Sequence, residues 1–136
     1  MFGAGTNTTF TVLEWAMSEL IRNPGTMKTL QYEVREVVGS KDEIDEQDLE
    51  KMPYLKAVLK KNLRLHSPAP LLVPSELTQD TKVLGYDVAS GMRMMINGWA
   101  ISRNPSLWKN IEESPPERFL EMSIDFRDLH FELTPL

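Results

Sequence analysis

The chain has 136 residues, 41% of them hydrophobic, enough for one core and short of two. Lys and Arg number 15 against 20 Asp and Glu, and the formal charge of -5 argues against a nucleic-acid surface. Cysteine is absent and His66 and His130 are the only histidines. Within these residues that excludes disulfides, zinc–thiolate sites, a cysteine nucleophile, a haem thiolate and a histidine-rich metal site.

No apolar run approaches the roughly 18 to 20 residues of a membrane span. Met1-Phe2-Gly3-Ala4 has no basic n-region and no signal-peptide shape. Composition alone describes a soluble, acidic chain compatible with the cytosol.

In chain order, the first half is predicted helical. Leu13, Ala16, Met17, Leu20 and Ile21 follow the spacing of one helix face. Asn23 and Pro24 end that helix and are expected to open the next as N-cap and N1. Met27, Leu30, Val34, Val37 and Val38 carry the second helix, with Gly39 as its C-cap. A third, short helix is expected over Glu46–Lys51 behind Asp45 as N-cap. Pro53 opens a fourth, with Leu55, Val58, Leu59, Leu63 and Leu65 as its apolar set. That helix carries Lys56, Lys60, Lys61 and Arg64 and no acid, so its own charges repel.

After His66, Pro68, Pro70 and Pro74 make the chain extended. Short strands are expected at Leu71–Val73, Lys82–Leu84, Tyr86–Val88 and Arg93–Ile96. Gly85 and Ala89-Ser90-Gly91 supply the turns between them. A short helix is expected near Trp99–Arg103. From Asn104 to Leu136 periodicity fades. Trp108, Phe119, Phe126 and Phe131 are expected to pack against something larger.

Three short stretches carry chemistry. Ala4-Gly5-Thr6-Asn7-Thr8-Thr9 puts a glycine and four polar residues inside a helix, at a cost of up to about 1 kcal/mol for the glycine relative to Ala. Threonine hydroxyls can bond back to the preceding turn and bend it. Taken alone, the stretch is also explained by a frayed, cap-rich helix start. Lys61-Asn62-Leu63-Arg64-Leu65-His66 also fits a solvated basic face. Pro116-Glu117-Arg118-Phe119 also fits an exposed turn.

Taken in this order and spacing, the three stretches, with Phe131-Glu132-Leu133-Thr134-Pro135, make the chain resemble the cytochromes P-450. These are the haem-thiolate monooxygenases, and the likeness is to their plant A-type members, from Phe2 to Pro135. The resemblance implies a mainly α partial fold with a small β portion: four helices, short strands and an irregular meander. It is expected as one partial domain over residues 1–136, helical to residue 66, with short strands over 67–98 and a short helix and meander over 99–136.

By resemblance, Thr8 helps deliver protons to iron-bound dioxygen. Asn7 stands where the family has an acid, and it can position water but not carry a proton at neutral pH. Ala4, Gly5 and Val73 match haem-contacting positions. Ala69, Leu71 and Leu72 match positions that touch substrate. Arg64 and Arg118 match the two arginines of the Glu-Arg-Arg triad, and Lys61 replaces its glutamate. At about 4 Å and an effective dielectric near 20, each attraction of about 4 kcal/mol then changes sign. The side chains are expected to swing apart and the meander to be poorly anchored. Ser75 replaces a plant-type arginine beside the haem propionates.

The resemblance further implies haem as cofactor, a lipophilic small molecule as substrate, an NADPH reductase as partner and the endoplasmic reticulum membrane as location. It implies no nucleic-acid partner. The family's thiolate cysteine follows just beyond the position of Leu136. Without it, this chain is expected to bind haem weakly, to catalyse no monooxygenation and to be soluble. Neither His66 nor His130 is expected to replace the thiolate, so no metal ligand is assigned. Two other readings stand beside this one: an incomplete record of a working plant monooxygenase, and a small helical interaction protein built on residues 1–66.

Overall fold

The computed structural model describes residues 2–41, 43–108 and 115–120, with side chains from residue 5 onward. Phe126, His130 and the Phe131–Pro135 stretch lie outside the described residues. The elements are α1 (Phe2–Arg22), α2 (Pro24–Val38), α3 (Glu46–Glu50), α4 (Pro53–Leu65) and α5 (Gly98–Ser102). Four strands, β1 (Ser75–Glu76), β2 (Thr81–Val83), β3 (Tyr86–Val88) and β4 (Arg93–Met94), precede α5, and a 3-10 turn spans Pro116–Phe119. The chain is mainly helical with little strand.

Helix α4 is the element on which the others pack: α1, α2, α5 and the 3-10 turn all contact it. Leu20 of α1, Leu30 of α2 and Tyr54 and Val58 of α4 form a core cluster, with Met27, Val34 and Leu55 against it. Each such apolar side chain contributes roughly 1.5 to 3 kcal/mol when fully buried. The central position of α4 explains why Ala57 and the polar Asn62 and Arg64 are buried beside its apolar set.

The predicted apolar face of α1 divides. Ala16 and Leu20 are buried, whereas Leu13, Met17 and Ile21 are exposed together with Phe10. Phe10, Leu13, Met17 and Ile21 recur every three or four residues and form an apolar stripe turned away from α4.

The predicted caps hold in part. Asp45 accepts the Asp48 amide at 2.8 Å in a capping box, and Gly39 ends α2 at φ 55°. Asn23 precedes Pro24 as expected but does not cap α2. Its Nδ2 instead donates to the Glu19 carbonyl at 2.7 Å and closes the end of α1. Helix α4 has no cap of its own at Met52, and α2 supplies one. Glu33 accepts the Tyr54 amide at 2.8 Å and the Leu55 amide at 2.9 Å. Two open donors and the positive helix end are satisfied by one carboxylate.

Strands β2 and β3 form a hairpin with Thr81 opposite Val88 and Val83 opposite Tyr86. Leu84 and Gly85 turn it at φ 52° and 89°, both left-handed, which matches the twist of a two-residue hairpin. The strand expected at Lys82–Leu84 therefore starts and stops one residue earlier. Leu71–Val73 is not a strand. Leu72 sits at φ 53°, and its amide closes a turn on the Ala69 carbonyl at 3.0 Å, a geometry no ladder accommodates. The pairing partner of β4 is Ser75–Glu76, beyond Pro74.

Candidate functional site

The Gly5–Thr8 stretch lies on the exposed N-terminal half of α1. Two hydroxyls bond back to the helix: Thr8 Oγ1 donates to the Gly5 carbonyl at 3.3 Å and Thr11 Oγ1 to the Asn7 carbonyl at 2.9 Å. A Cβ built on Gly5 meets no atom within 4 Å. Among the described residues neither packing nor backbone conformation requires a glycine at position 5. Ala4 belongs to the same helix, and its side chain is outside the described residues.

Ala69, Leu71, Leu72 and Val73 follow α4 as a turn. Leu71 and Val73 are exposed. The turn is held from behind, where the Trp99 amide at the start of α5 donates to the Pro70 carbonyl at 3.0 Å. Ser75 is the first residue of β1. The structure thus presents the α1 stretch and the 69–73 turn as two outward surfaces flanking α4. An open groove of about 560 Å³ lies elsewhere, along the β2–β3 hairpin between Asp80, Thr81, Lys82, Asp87, Val88 and Ala89, and touches none of these residues.

The Lys61–Arg64–Arg118 set is only partly brought together. Arg64 is fully buried. Its Nη1 donates to the Ser102 carbonyl at 3.0 Å, and its guanidinium lies 4.6 Å from the Trp108 ring centre. The Arg118 guanidinium faces the same ring at 5.4 Å. Burial first, and then the charges of Arg103 and Arg118, push the Arg64 pKa down to about 10. It remains a cation at neutral pH. Lys61 turns to α1 instead, with its ammonium 3.3 Å from Glu19 Oε2.

Glu19 is a junction that sequence reasoning missed. Its other oxygen accepts from His66 Nε2 at 3.3 Å, and His66 stacks on Trp15 with ring centres 4.0 Å apart. Burial pushes the Glu19 carboxyl up, but the hydrogen bonds and charges of Lys61 and His66 outweigh it and hold it below its ordinary value. Burial lowers His66, with Arg103 and Lys61 adding to that and Glu19 opposing. The imidazole is therefore neutral at pH 7 and donates a hydrogen bond to Glu19. The signal in the sequence was the acid-free face of α4, which called for an acid from another helix.

The expectation of a poorly anchored meander is corrected over residues 115–120. Pro116 and Phe119 are buried, and Tyr54 Oη donates to Glu117 Oε1 at 2.9 Å. Trp108, expected to need an outside partner, is 2% exposed and packs on Phe119 at 5.8 Å. Aromatic packing and a neutral donor do here what a carboxylate between arginines would have done.

A haem group needs an open helix face, apolar flanks and an axial ligand. Of these, the described residues show an open helix surface at Gly5 beside the Thr8 hydroxyl, and exposed apolar side chains at Leu71 and Val73. The axial thiolate is not among the 136 residues. His66 is committed to Trp15 and Glu19. Among the described residues no group of three His, Cys, Asp or Glu side chains is placed to hold a metal ion.

Residues 1–135 match the family model described as Cytochrome P450. The chain is 69% identical over 135 residues to "Cytochrome P450 71A6" of Nepeta racemosa, covering 99% of this chain and 26% of that protein. It is 62% identical to (+)-menthofuran synthase of Mentha piperita, with 99% and 27% covered. A zebra fish cytochrome P450 solved with progesterone superposes with a TM-score of 0.83 at 38% identity, over 88% of this chain and 28% of that one. The chain spans about a quarter of the length of the relatives it matches.

Proposed function

The chain belongs to the cytochrome P450 family, and from that membership we propose that it is the dioxygen-side helix and the structural centre of a haem monooxygenase acting on small lipophilic metabolites. The observation that carries this reading is the open helix surface at Gly5, three residues before Thr8: a glycine that costs helix stability and that nothing among the described residues packs against. When bound, haem supplies the redox chemistry. The chain's own residues do the rest. Ala4, Gly5 and Val73 would hold the porphyrin, and Ala69, Leu71 and Leu72 would offer apolar contact to substrate. The Thr8 hydroxyl holds a proton near the oxygen site, and Asn7 orients water toward it. Arg64 and Arg118 clasp Trp108 and keep the meander on α4, with Lys61 diverted to Glu19.

By this reading the 136 residues alone hydroxylate nothing, because they offer iron no thiolate and so no electron push for O–O cleavage. The exposed apolar stripe of α1 supports it, since such a face belongs against further protein. Residues 1–66, 67–98 and 99–136 serve as helical, strand and meander parts of one partial domain. A reductase as electron donor and the endoplasmic reticulum membrane as location follow for the whole protein. Among the described residues no helix is long and apolar enough to cross a membrane.

Haem titration of the purified chain followed by a carbon monoxide difference spectrum tests this. The expected result is weak haem uptake without a thiolate-type band. A thiolate-type band, or turnover of any substrate by the chain with reductase alone, would overturn it.

A further inference from the structure

Asn62 lies one residue past Lys61 on α4 and is 2% exposed. Its amide crosses to α1, where Nδ2 donates to the Val12 carbonyl at 3.0 Å. Its carbonyl oxygen, Oδ1, is buried and meets no hydrogen-bond donor among the described residues. Exchanging the amide's O and N does not cure this, because Oδ1 would then face the Val12 carbonyl oxygen, acceptor against acceptor. A buried acceptor without a donor costs about 1 to 3 kcal/mol, and native proteins seldom leave one.

Beside Asn62 lies a small cavity of about 10 Å³, walled by Ala16, Glu19, Leu20, Thr26, Val58, Lys61 and Pro116. It sits where α1, α2, α4 and the start of the 3-10 turn meet. That volume is about one water molecule's worth, and a buried water needs two to four polar partners. The wall supplies them: the Asn62 oxygen as acceptor, the Lys61 ammonium as donor and the Glu19 carboxylate as acceptor, whereas the Thr26 hydroxyl is engaged with Tyr54.

We propose that Asn62, Lys61 and Glu19 form a binding site for a single long-lived water molecule that joins α1 to α4. The water donates one hydrogen to Asn62 Oδ1 and the other to Glu19, and it accepts from Lys61. Glu19 and Lys61 are thereby fixed through the water as well as through their direct 3.3 Å contact. The site gives a reason for a polar residue at an enclosed position of α4, where a leucine would complete the apolar face.

The test is water-selective nuclear magnetic resonance on the whole 15N-labelled chain, read at the Asn62 side-chain amide protons. Cross-peaks to water are expected, with nuclear and rotating-frame Overhauser effects of opposite sign, the mark of a water residing for nanoseconds or longer. Thr26→Val is the control, because an exchanging hydroxyl can imitate a bound water. The cross-peaks are expected to survive it. Loss of the cross-peaks in Thr26→Val would overturn the proposal. So would their absence in the unmodified chain, whether the cavity is dry or α1 and α4 fail to enclose it. A crystal structure with a solvent peak at hydrogen-bond distance from Asn62 Oδ1 would support it, and an ordered Asn62 beside featureless density would reject it.

Discussion

Glu33 lies 21 residues before Tyr54, yet its Oε1 accepts the Tyr54 backbone N–H at 2.8 Å while Oε2 takes that of Leu55. One carboxylate on α2 thus performs the capping that Met52 cannot, and it couples two helices that share the core cluster. Glu33→Ala is expected to lower stability by about 1 to 2 kcal/mol, the range of a lost helix cap. Urea titration followed by circular dichroism measures it. A loss no larger than that of an exposed surface glutamate would show that the cap is dispensable.

Gly5→Ala should stabilise this chain. The site is helical and has room for a methyl group, so the gain is up to about 1 kcal/mol. Thermal melts of the two chains give the comparison. A lower melting temperature for the alanine variant would mean that the glycine serves packing within these residues and not a cofactor outside them.

Lys61→Glu exchanges partners. It loses Glu19 and places a carboxylate within reach of the Arg64 and Arg118 pair around Trp108. The added attraction is expected to outweigh the repulsion from Glu19, with a net gain on the order of 1 kcal/mol. Slower tryptic cleavage after Arg118 and a higher melting temperature are the readouts. Unchanged cleavage would show that Tyr54–Glu117 and Trp108 already hold the segment fully.

Stability should fall as pH drops below 6.5. Burial first, with Arg103 and Lys61 next, holds the folded His66 below its ordinary value, while the unfolded imidazole titrates near 6.5. Below 6.5 the unfolded chain therefore binds the extra proton more readily, and folding weakens until the folded pKa is passed. Glu19 adds the same sign lower down, because its depressed carboxyl gives stability present above 4.5 and lost as pH falls beneath it. Equilibrium unfolding of His66→Asn between pH 7 and 5 checks the first part. The variant should be flatter across that window, and an equal slope would assign the effect elsewhere.

The helices were legible because their signals are local. Pro24 and Pro53 fixed two starts, Gly39 one end, and Asp45 one N-cap. Which face of α1 would be covered was not legible, since Leu13, Met17 and Ile21 are as apolar as Ala16 and Leu20 and only tertiary contact separates them. The Leu71–Val73 strand failed for a related reason: hydrophobicity between prolines says nothing of the left-handed Leu72. The motif residues were found by resemblance. The partnerships of Glu19 with Lys61 and of Tyr54 with Glu117, 42 and 63 residues apart, leave no short-range trace.

The Trp108 enclosure equips the protein with its own optical probe. Of the three tryptophans, Trp15 and Trp99 face solvent, so a blue-shifted emission component belongs to Trp108 alone. Its red shift on dilution into denaturant follows the moment the segment carrying Phe119 leaves α4, without any label attached.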